Sequence, residues 1–296
     1  MARHSAWAPI FAALLSIVLL SCTEHEPEQP RDPVDEPSGQ AIRLTDDAGA
    51  LHELPQPPAR IVSLVPAATE IIIALGEEDR LVARTDFDTT SVLHALPSVG
   101  GGLEPNIERL LSLAPALVIR FDARSDPTTP ERLDRAGIPH FAVGPERIED
   151  IRRTVRNLGT LVGRKELSEE QIRNMDRELS DVRAAVAGRP PRRVAYLLGG
   201  SPPWVAGSGT FVDEILTAAG GENVFDDLPA RYAEVSLETL VSRDIEIILV
   251  VEGEPLPSGI ALDRVERVST LTRSPGLRLA EAARELARLL HPTALP

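Results

Sequence analysis

The sequence has very little cysteine and few aromatic residues. Cys22 is the single cysteine, which excludes an intramolecular disulfide, and phenylalanine, tryptophan and tyrosine make up only 3% of the 296 residues. The six histidines are scattered, with no pair at the spacing of metal ligands. We therefore expect no metal site built by protein side chains.

Excess positive charge is also missing. The formal net charge is −14, which argues against nucleic acid, because a phosphate-binding surface needs a cationic face. Hydrophobic residues make up 43% of the chain, enough for a real core, so most of it is not a disordered protein.

Catalytic motifs are absent or incomplete. The run Gly199-Gly200-Ser201-Pro202-Pro203 begins like a nucleophile elbow, but proline replaces the closing glycine. The run Gly207-Ser208-Gly209-Thr210 precedes a helical pattern but lacks the lysine of a phosphate loop. We predict no catalytic residues and a protein that is not an enzyme.

The longest apolar run, Trp7–Leu20, is too short for a comfortable membrane span but typical of a signal-peptide core. It ends at Leu19-Leu20-Ser21-Cys22, which resembles the bacterial lipobox. Residues 1–22 are thus predicted to be a lipoprotein signal peptide with Cys22 as the lipidation site. The protein would then be exported to the cell envelope or periplasm and anchored to a membrane by lipid. An ordinary signal peptide or an uncleaved anchor are the alternatives.

Residues 23–40 are acidic and rich in proline, with almost no apolar side chains. Such a segment buries too little surface to offset the entropy of ordering, which predicts a disordered tether.

Beyond the tether, short apolar runs alternate with helical patterns over 41–147 and again over 190–296, which is typical of parallel sheets covered by helices. Two apolar stripes at helical spacing lie between them, over 148–189. The sequence therefore predicts an α/β protein with an N-terminal lobe, connecting helices and a C-terminal lobe.

The two lobes repeat one sequence pattern. Asn106–Ile119 aligns without gaps to Ser236–Leu249, and each segment has a helix N-cap, a glutamate two positions later, a short helix and a buried strand. Ligand sites favour the cleft between two such lobes.

Several segments together resemble the helical-backbone class of periplasmic binding proteins, within it the vitamin B12 and iron–siderophore binding family. The similarity covers residues 41–296, and the segments that carry it are Arg60–Gly76, Pro97–Gly101, Asn106–Glu108, Leu198–Trp204, Ala219–Val224, Val235–Glu238 and Arg273–Arg278. The resemblance implies two Rossmann-like lobes bridged by one long rigid helix near Lys165–Gly188. It also implies a monomer that carries a large metal-bearing ligand to the permease and ATPase of an ABC importer.

Site residues follow from the same resemblance. Glu108 and Glu238 match the glutamates that dock on the permease in this family, although a helix dipole favours an acidic residue there anyway. The positions that match the ligand-binding cleft are Pro66, Ala67, Phe87, Gly101, Gly102, Trp204 and Tyr232. Arg273, Arg278 or backbone groups are expected to meet the amide or carboxylate periphery of the ligand. The segment Thr85–Thr89 departs from the family's aromatic loop.

The ligand implied first is cobalamin or a related corrinoid, with haem or a ferric siderophore as the alternative; no cofactor of the protein itself is expected. Haem would need an axial ligand, which Tyr232 or His94 would have to supply, and a siderophore site would show several converging arginines. An exported sensor or enzyme on the same fold is a further alternative.

Overall fold

The computed structural model describes residues 41–122, 126–256, 260 and 265–294. The predicted signal peptide, Cys22 and the predicted tether lie outside these residues. The described chain begins with a hairpin, in which strand β1 (Ile42–Thr45) pairs antiparallel with β2 (Leu51–Leu54). The Asp46 carboxylate holds the turn by accepting hydrogen bonds from the N–H groups of Ala48 and Ala50, at 3.0 and 2.8 Å.

The first lobe is a four-stranded parallel sheet in the order β4-β3-β5-β6. Its elements are β3 (Ile61–Ser63), α1 (Pro66–Ala74), β4 (Leu81–Ala83), α2 (Ile107–Ser112), β5 (Leu117–Phe121), α3 (Thr129–Arg135) and β6 (His140–Val143). Strand β5 reads Leu-Val-Ile-Arg-Phe and is buried on both faces, because helices cover a parallel sheet on either side.

Two helices connect the lobes, α4 (Ile148–Leu161) and α5 (Lys165–Val186). The apolar stripe of α4 packs Ile151 into the core of the second lobe and Val155 into that of the first. Helix α5 divides in the same way, with Ile172 in the first core and Leu179 in the second. Helix α5 is thus the long bridging helix that the sequence predicts, and α4 crosses beside it.

The second lobe contains a mixed sheet in the order β10-β8-β7-β11-β12, with β9 also paired to β7. Its elements are β7 (Arg192–Gly199), β8 (Trp204–Ala206), α6 (Phe211–Ala218), β9 (Gly221–Asn223), β10 (Tyr232–Glu234), α7 (Leu237–Ser242), β11 (Ile247–Val251), β12 (Val265–Val268) and α8 (Leu279–Leu290). Strands β9, β7, β11 and β12 are parallel as expected, whereas β8 and β10 add an antiparallel edge. The chain reverses into β8 at Gly199 and Gly200, whose φ angles of 116° and 92° favour glycine.

The α/β fold class is confirmed, and the internal repeat is seen in atomic detail. Asn106 Oδ1 accepts a hydrogen bond from Arg109 N at 2.9 Å at the start of α2, and Ser236 Oγ accepts one from Thr239 N at 3.0 Å at the start of α7. Both helices have six residues, and each leads to a five-residue strand in the parallel part of its sheet: α2 to β5 and α7 to β11. Across the described ranges, no helix has the length and apolar character needed to cross a membrane.

Candidate ligand-binding site

A cavity of about 480 Å³ lies at the carboxyl edge of the first sheet. The chain runs from β3 outward to β4 and from β5 outward to β6, so the sheet order reverses between β3 and β5. Val65 follows β3 and Phe121 ends β5, and both line the cavity. Ligands of open α/β sheets bind at such a reversal, which makes this cavity the candidate site.

Both lobes form its wall. The first lobe contributes Val65, Pro66, Ala67, Glu70, Asp86, Phe87, Thr89 and Phe121, and the second contributes Thr270, Leu271, Arg273, Ser274 and Pro275. The lobes meet closely beside it, since a Cβ added at Gly276 would lie 3.6 Å from Ala67 Cβ. Leu277 then packs against the apolar core of the first lobe. The cavity is therefore an inter-lobe cleft, lined by the predicted residues Pro66, Ala67, Phe87 and Arg273.

Phe87 is presented to the cleft by a loop that is held through its own hydrogen bonds. The buried Asp88 carboxylate accepts from Thr85 N at 2.6 Å and from Thr85 Oγ1 at 2.8 Å. Phe87 N donates to Thr85 Oγ1 at 3.2 Å. Phe87 as a whole is 68% exposed. An aromatic ring held in this way offers a large flat surface to a ligand.

Gly101 and Gly102 lie next to the aromatic residues of the cleft. A Cβ at Gly101 would be 3.9 Å from Phe87 Cε2, so this glycine borders the exposed ring. Gly102 is buried, and a Cβ there would overlap the Leu64 carbonyl oxygen and lie 3.0 Å from Phe121 Cε2. Gly102 thus allows the loop to pack beneath the cleft wall.

The two predicted arginines are both ion-paired. Arg273 lines the cleft, and its Nη1 lies 2.7 Å from Glu254 Oε1. Arg278 is outside the lining residues, at the start of α8, where its Nη2 lies 2.8 Å from Glu281 Oε2. That contact and the charges of Glu281 and Glu70 raise the pKa of Arg278.

Trp204 begins strand β8, and it is 44% exposed. It is outside the cavity lining described above. A Cβ on Gly200 would lie 3.0 Å from Trp204 Cδ1, so the indole packs on the Gly200 backbone. The neighbouring Gly199 packs so closely on Glu254, the partner of Arg273, that a Cβ there would overlap its carboxylate. A series of contacts therefore leads from Trp204 through Gly200, Gly199 and Glu254 to Arg273, which lines the cavity from the second lobe.

Tyr232 and His94 are the candidates for an axial haem ligand, and neither is among the lining residues. Tyr232 is half-buried on β10 and packs against the second-lobe core. Burial and the nearby Glu146 charge raise the pKa of its phenol to about 12. His94 is exposed, with Nε2 3.2 Å from the Thr89 carbonyl oxygen.

Carboxylates in the cleft are the residues that sequence reasoning missed. Glu70 follows Pro66 by four positions on α1, a spacing that places both on one helix face and could have indicated it. Burial raises the pKa of the Glu70 carboxyl, as do the charges of Asp88 and Glu281, whereas the Arg278 charge opposes them. Asp86 accepts a hydrogen bond from Ser98 Oγ at 2.5 Å. Within the described ranges, no group of three or more acidic, histidine or cysteine side chains is arranged to hold a metal ion.

Glu108 and Glu238 are both exposed, each in the first turn of its helix. In the part of the chain that the structure describes, neither carboxylate has a hydrogen bond or an ion pair. Exposed Leu237 and Val241 flank Glu238 on α7. The structure thus places the two glutamates at equivalent, unpaired positions of the two lobes.

Two α/β lobes bridged by helices, with a cavity between them at the carboxyl edge of a sheet, define a two-lobed ligand-binding protein. The sequence matches the periplasmic binding protein family over residues 61–288, and the chain belongs to that family. Members of this family are substrate-binding proteins of transport systems.

One similar sequence and two similar structures illustrate the family. The chain is 29% identical over 199 residues to a vitamin B12-binding protein of Vibrio cholerae. The aligned segment covers 67% of this chain and 72% of that protein. The crystal structure of the periplasmic vitamin B12 binding protein of Vibrio cholerae has a TM-score of 0.68 at 26% identity, covering 80% of this chain and 98% of that one. The apo periplasmic haem-binding protein of Roseiflexus sp. RS-1 has a TM-score of 0.69 at 26% identity, covering 79% and 98%.

Proposed function

We propose that this protein captures cobalamin or a related corrinoid and delivers it to the permease of an ABC importer. The observation that carries the proposal is the wall of the cleft, whose described residues combine apolar and aromatic side chains with two carboxylates and one arginine, Arg273, that is already paired with Glu254. A flat macrocycle with an uncharged amide edge can bury its faces on such a wall without requiring cationic partners. The similarity to vitamin B12-binding proteins supports the same ligand.

Haem is the alternative, supported by the similarity to a haem-binding protein. The position of Tyr232 and His94 outside the cavity lining weighs against it. A ferric siderophore would gain from converging arginines, and Arg273 alone lines the cavity among the described residues.

The remaining parts of the proposal concern delivery. Glu108 and Glu238 dock on the permease, the permease works with its ATPase, and lipid on Cys22 keeps the exported protein on a membrane in the cell envelope or periplasm. The binding protein acts as a monomer. An exported sensor or enzyme on this fold is the remaining alternative, and a gene neighbourhood with a permease and an ATPase would argue against it.

The test is a titration of the purified mature protein with cyanocobalamin, cobinamide, haemin and a panel of ferric siderophores. Trp7 and Trp204 are the two tryptophans, and Trp7 is lost with the proposed signal peptide, so Trp204 is a single fluorescent reporter. Corrinoid binding near the indole quenches its emission. Calorimetry with the same ligands gives stoichiometry and excludes inner-filter artefacts.

The expected result is that one corrinoid binds tightly, with one ligand molecule for each protein molecule. Trp204→Ala should weaken it by about 1–3 kcal/mol if the indole contacts the ligand, while Trp204→Phe, which keeps a flat ring, should weaken it less. Haemin binding with an axial-ligand absorption band that disappears in Tyr232→Phe would replace the corrinoid proposal with the haem one. No binding in the whole panel would contradict both.

A further inference from the structure

The cleft contains a carboxylate without a partner. Glu70 lines the cavity from α1, and no described residue donates a hydrogen bond to it or forms an ion pair with it. The guanidinium whose charge attracts it is that of Arg278. Arg278, however, is bonded to Glu281 through Nε at 3.1 Å and Nη2 at 2.8 Å. The negative charge of Glu70 is therefore poorly compensated within the protein.

The rest of the wall adds to this negative charge. Asp86 also lines the cavity, and the buried Asp88 lies in the same loop. Arg273 is the cation among the described lining residues, and its Nη1 is 2.7 Å from Glu254 Oε1. With that pair neutral overall, Glu70 and Asp86 leave the cleft with a negative potential.

A negative cleft discriminates between ligands by the groups at their edge. An amide N–H donates to a carboxylate in a charge-assisted hydrogen bond, which is stronger than a bond between neutral groups. A ligand carboxylate brought to the same position meets like charge in a partly desolvated site, and this repulsion rejects it.

We propose that Glu70 is a specificity-determining residue, which accepts hydrogen bonds from amide groups of the ligand and repels ligands with carboxylate edges. The proposal rests on the proposed function, because it assumes that the cavity is the ligand site. It defines the ligand class as a macrocycle with a neutral, amide-bearing periphery. It also assigns to Glu70 a role distinct from apolar contact, which Phe87 and Phe121 supply.

The test compares two corrinoids that share the cobalt and the ring and differ only at the edge. Cobinamide carries amide side chains, and cobyrinic acid carries carboxylic acids at the same positions. We expect the wild-type protein to prefer cobinamide by about 100-fold at neutral pH and low salt, with the preference reduced at high salt because ions screen the repulsion. Glu70→Gln removes the charge while keeping the shape, and should reduce the ratio of the two affinities at least about tenfold.

Two variants serve as controls. Glu70→Asp keeps the charge and should retain most of the preference. Glu131→Gln removes an exposed carboxylate on α3, outside the cavity, and should leave the ratio unchanged. Glu70 has no bond to lose among the described residues, so the thermal midpoint of Glu70→Gln should stay close to that of the wild type and report intact folding.

The outcomes separate this inference from the proposed function. If the wild-type protein binds both corrinoids equally, or if Glu70→Gln keeps the full preference, the role of Glu70 is wrong while corrinoid capture stands. If it binds neither corrinoid but binds haemin, which carries two propionates, both are wrong. A preference for cobinamide that falls in Glu70→Gln and persists in Glu70→Asp supports both.

Discussion

Arg273 Nη1 lies 2.7 Å from Glu254 Oε1 on the second-lobe side of the cleft. Both side chains are partly exposed, at 42% and 27% of their surface. A pair with this exposure contributes little to folding, about 0–1 kcal/mol. Its consequence is electrostatic, since the carboxylate neutralises the arginine that lines the cavity.

Removing Glu254 should therefore change ligand preference more than stability. Glu254→Gln leaves the Arg273 guanidinium without its counter-charge, so haemin, an anion, should bind about fivefold to tenfold more tightly at low salt. The free energy of unfolding should fall by no more than about 1 kcal/mol. Titrations at low and high salt and urea denaturation measure the two effects. Glu131→Gln, which breaks the exposed Arg135 pair on α3, is the control, and equal haemin affinities in both variants would contradict the prediction.

Phe87 should contribute binding energy without contributing to stability. Phe87 is 68% exposed and lines the cleft, so Phe87→Ala removes apolar surface that only a ligand buries. We expect affinity for the tightest ligand to fall by about 1.5–3 kcal/mol, the value for burying such a side chain. Calorimetry gives the affinity, and thermal unfolding should be nearly unchanged.

Leu51 offers a matched control for Phe87. It is 66% exposed on β2 and is outside the cavity lining. Leu51→Ala should leave ligand affinity unchanged. If both variants weaken binding equally, the effect of Phe87 is general and not a contact in the cleft.

The sequence predicted most of the fold because each element carried a local signal. Asn106 and Ser236 were identified as helix caps from residue type and repeat position, and both side chains cap their helices. Strands β8 and β10 were not predicted, because three residues are too few to show alternation. Trp204, which the resemblance matches to the cleft, lies on one of them.

The cleft was less predictable than the fold. Pro66, Ala67, Phe87 and Arg273 do line one cavity. The ion pair between Arg273 and Glu254 could not be predicted from a local sequence pattern. Glu254 follows β11 and Arg273 follows β12, so their contact depends on how these segments are placed beside each other in the fold. Glu70 had a helical-face signal, but a glutamate within a helix is usually on a solvated surface, and only the inter-lobe packing brings it into the cleft.

Asp46 should make stability depend on pH in acid. Burial alone would raise the pKa of its carboxyl, but hydrogen bonds from Ala142 N, Ala50 N and His52 hold that pKa below its ordinary value. A lowered folded-state pKa stabilises the protein above the unfolded value of about 3.9, and this contribution is lost as pH falls further, through the folded pKa. Asp46→Asn should reduce the free energy of unfolding at pH 7 by about 1–3 kcal/mol and flatten its decline below pH 4.

Urea denaturation of the wild type and Asp46→Asn measures both effects. The pH should run from about 2.5 to about 7, so that it brackets the ordinary aspartate pKa of about 3.9. Asp79→Asn is the control, since Asp79 is exposed and has no hydrogen bond in the described ranges. If the stability of Asp46→Asn falls in acid as steeply as that of the wild type, other groups cause the decline.

Cys22 should carry the lipid anchor. Cys22→Ser removes the thiol to which lipid attaches, so the protein should be released from the membrane fraction or accumulate as an unprocessed precursor. Fractionation and intact-mass spectrometry of the protein expressed in a bacterial host distinguish these states. An unmodified, soluble mature protein that begins at another residue in the wild type would contradict the prediction.

Glu108 and Glu238 should act in docking and not in ligand binding. Both are exposed and unpaired in the described structure and lie outside the cavity lining. The double variant Glu108→Ala and Glu238→Ala should keep ligand affinity within about twofold and reduce uptake at least about tenfold in vesicles with the reconstituted importer, because charges at an interface govern encounter and register.

The control for docking is Glu131→Ala, because Glu131 is an exposed acidic residue in the first turn of α3, where it interacts with the dipole of its own helix as Glu108 and Glu238 do with theirs. If the two glutamates only stabilise their helices, all three substitutions should lower stability by about 0.3–1 kcal/mol and leave uptake unchanged. If they dock on the permease, only Glu108→Ala and Glu238→Ala should reduce uptake. Higher salt should then weaken uptake by the wild type more than uptake by the double variant, because salt screens charges that the variant has lost. Equal salt sensitivity in the two proteins would place the charges that recognise the permease elsewhere on the lobes.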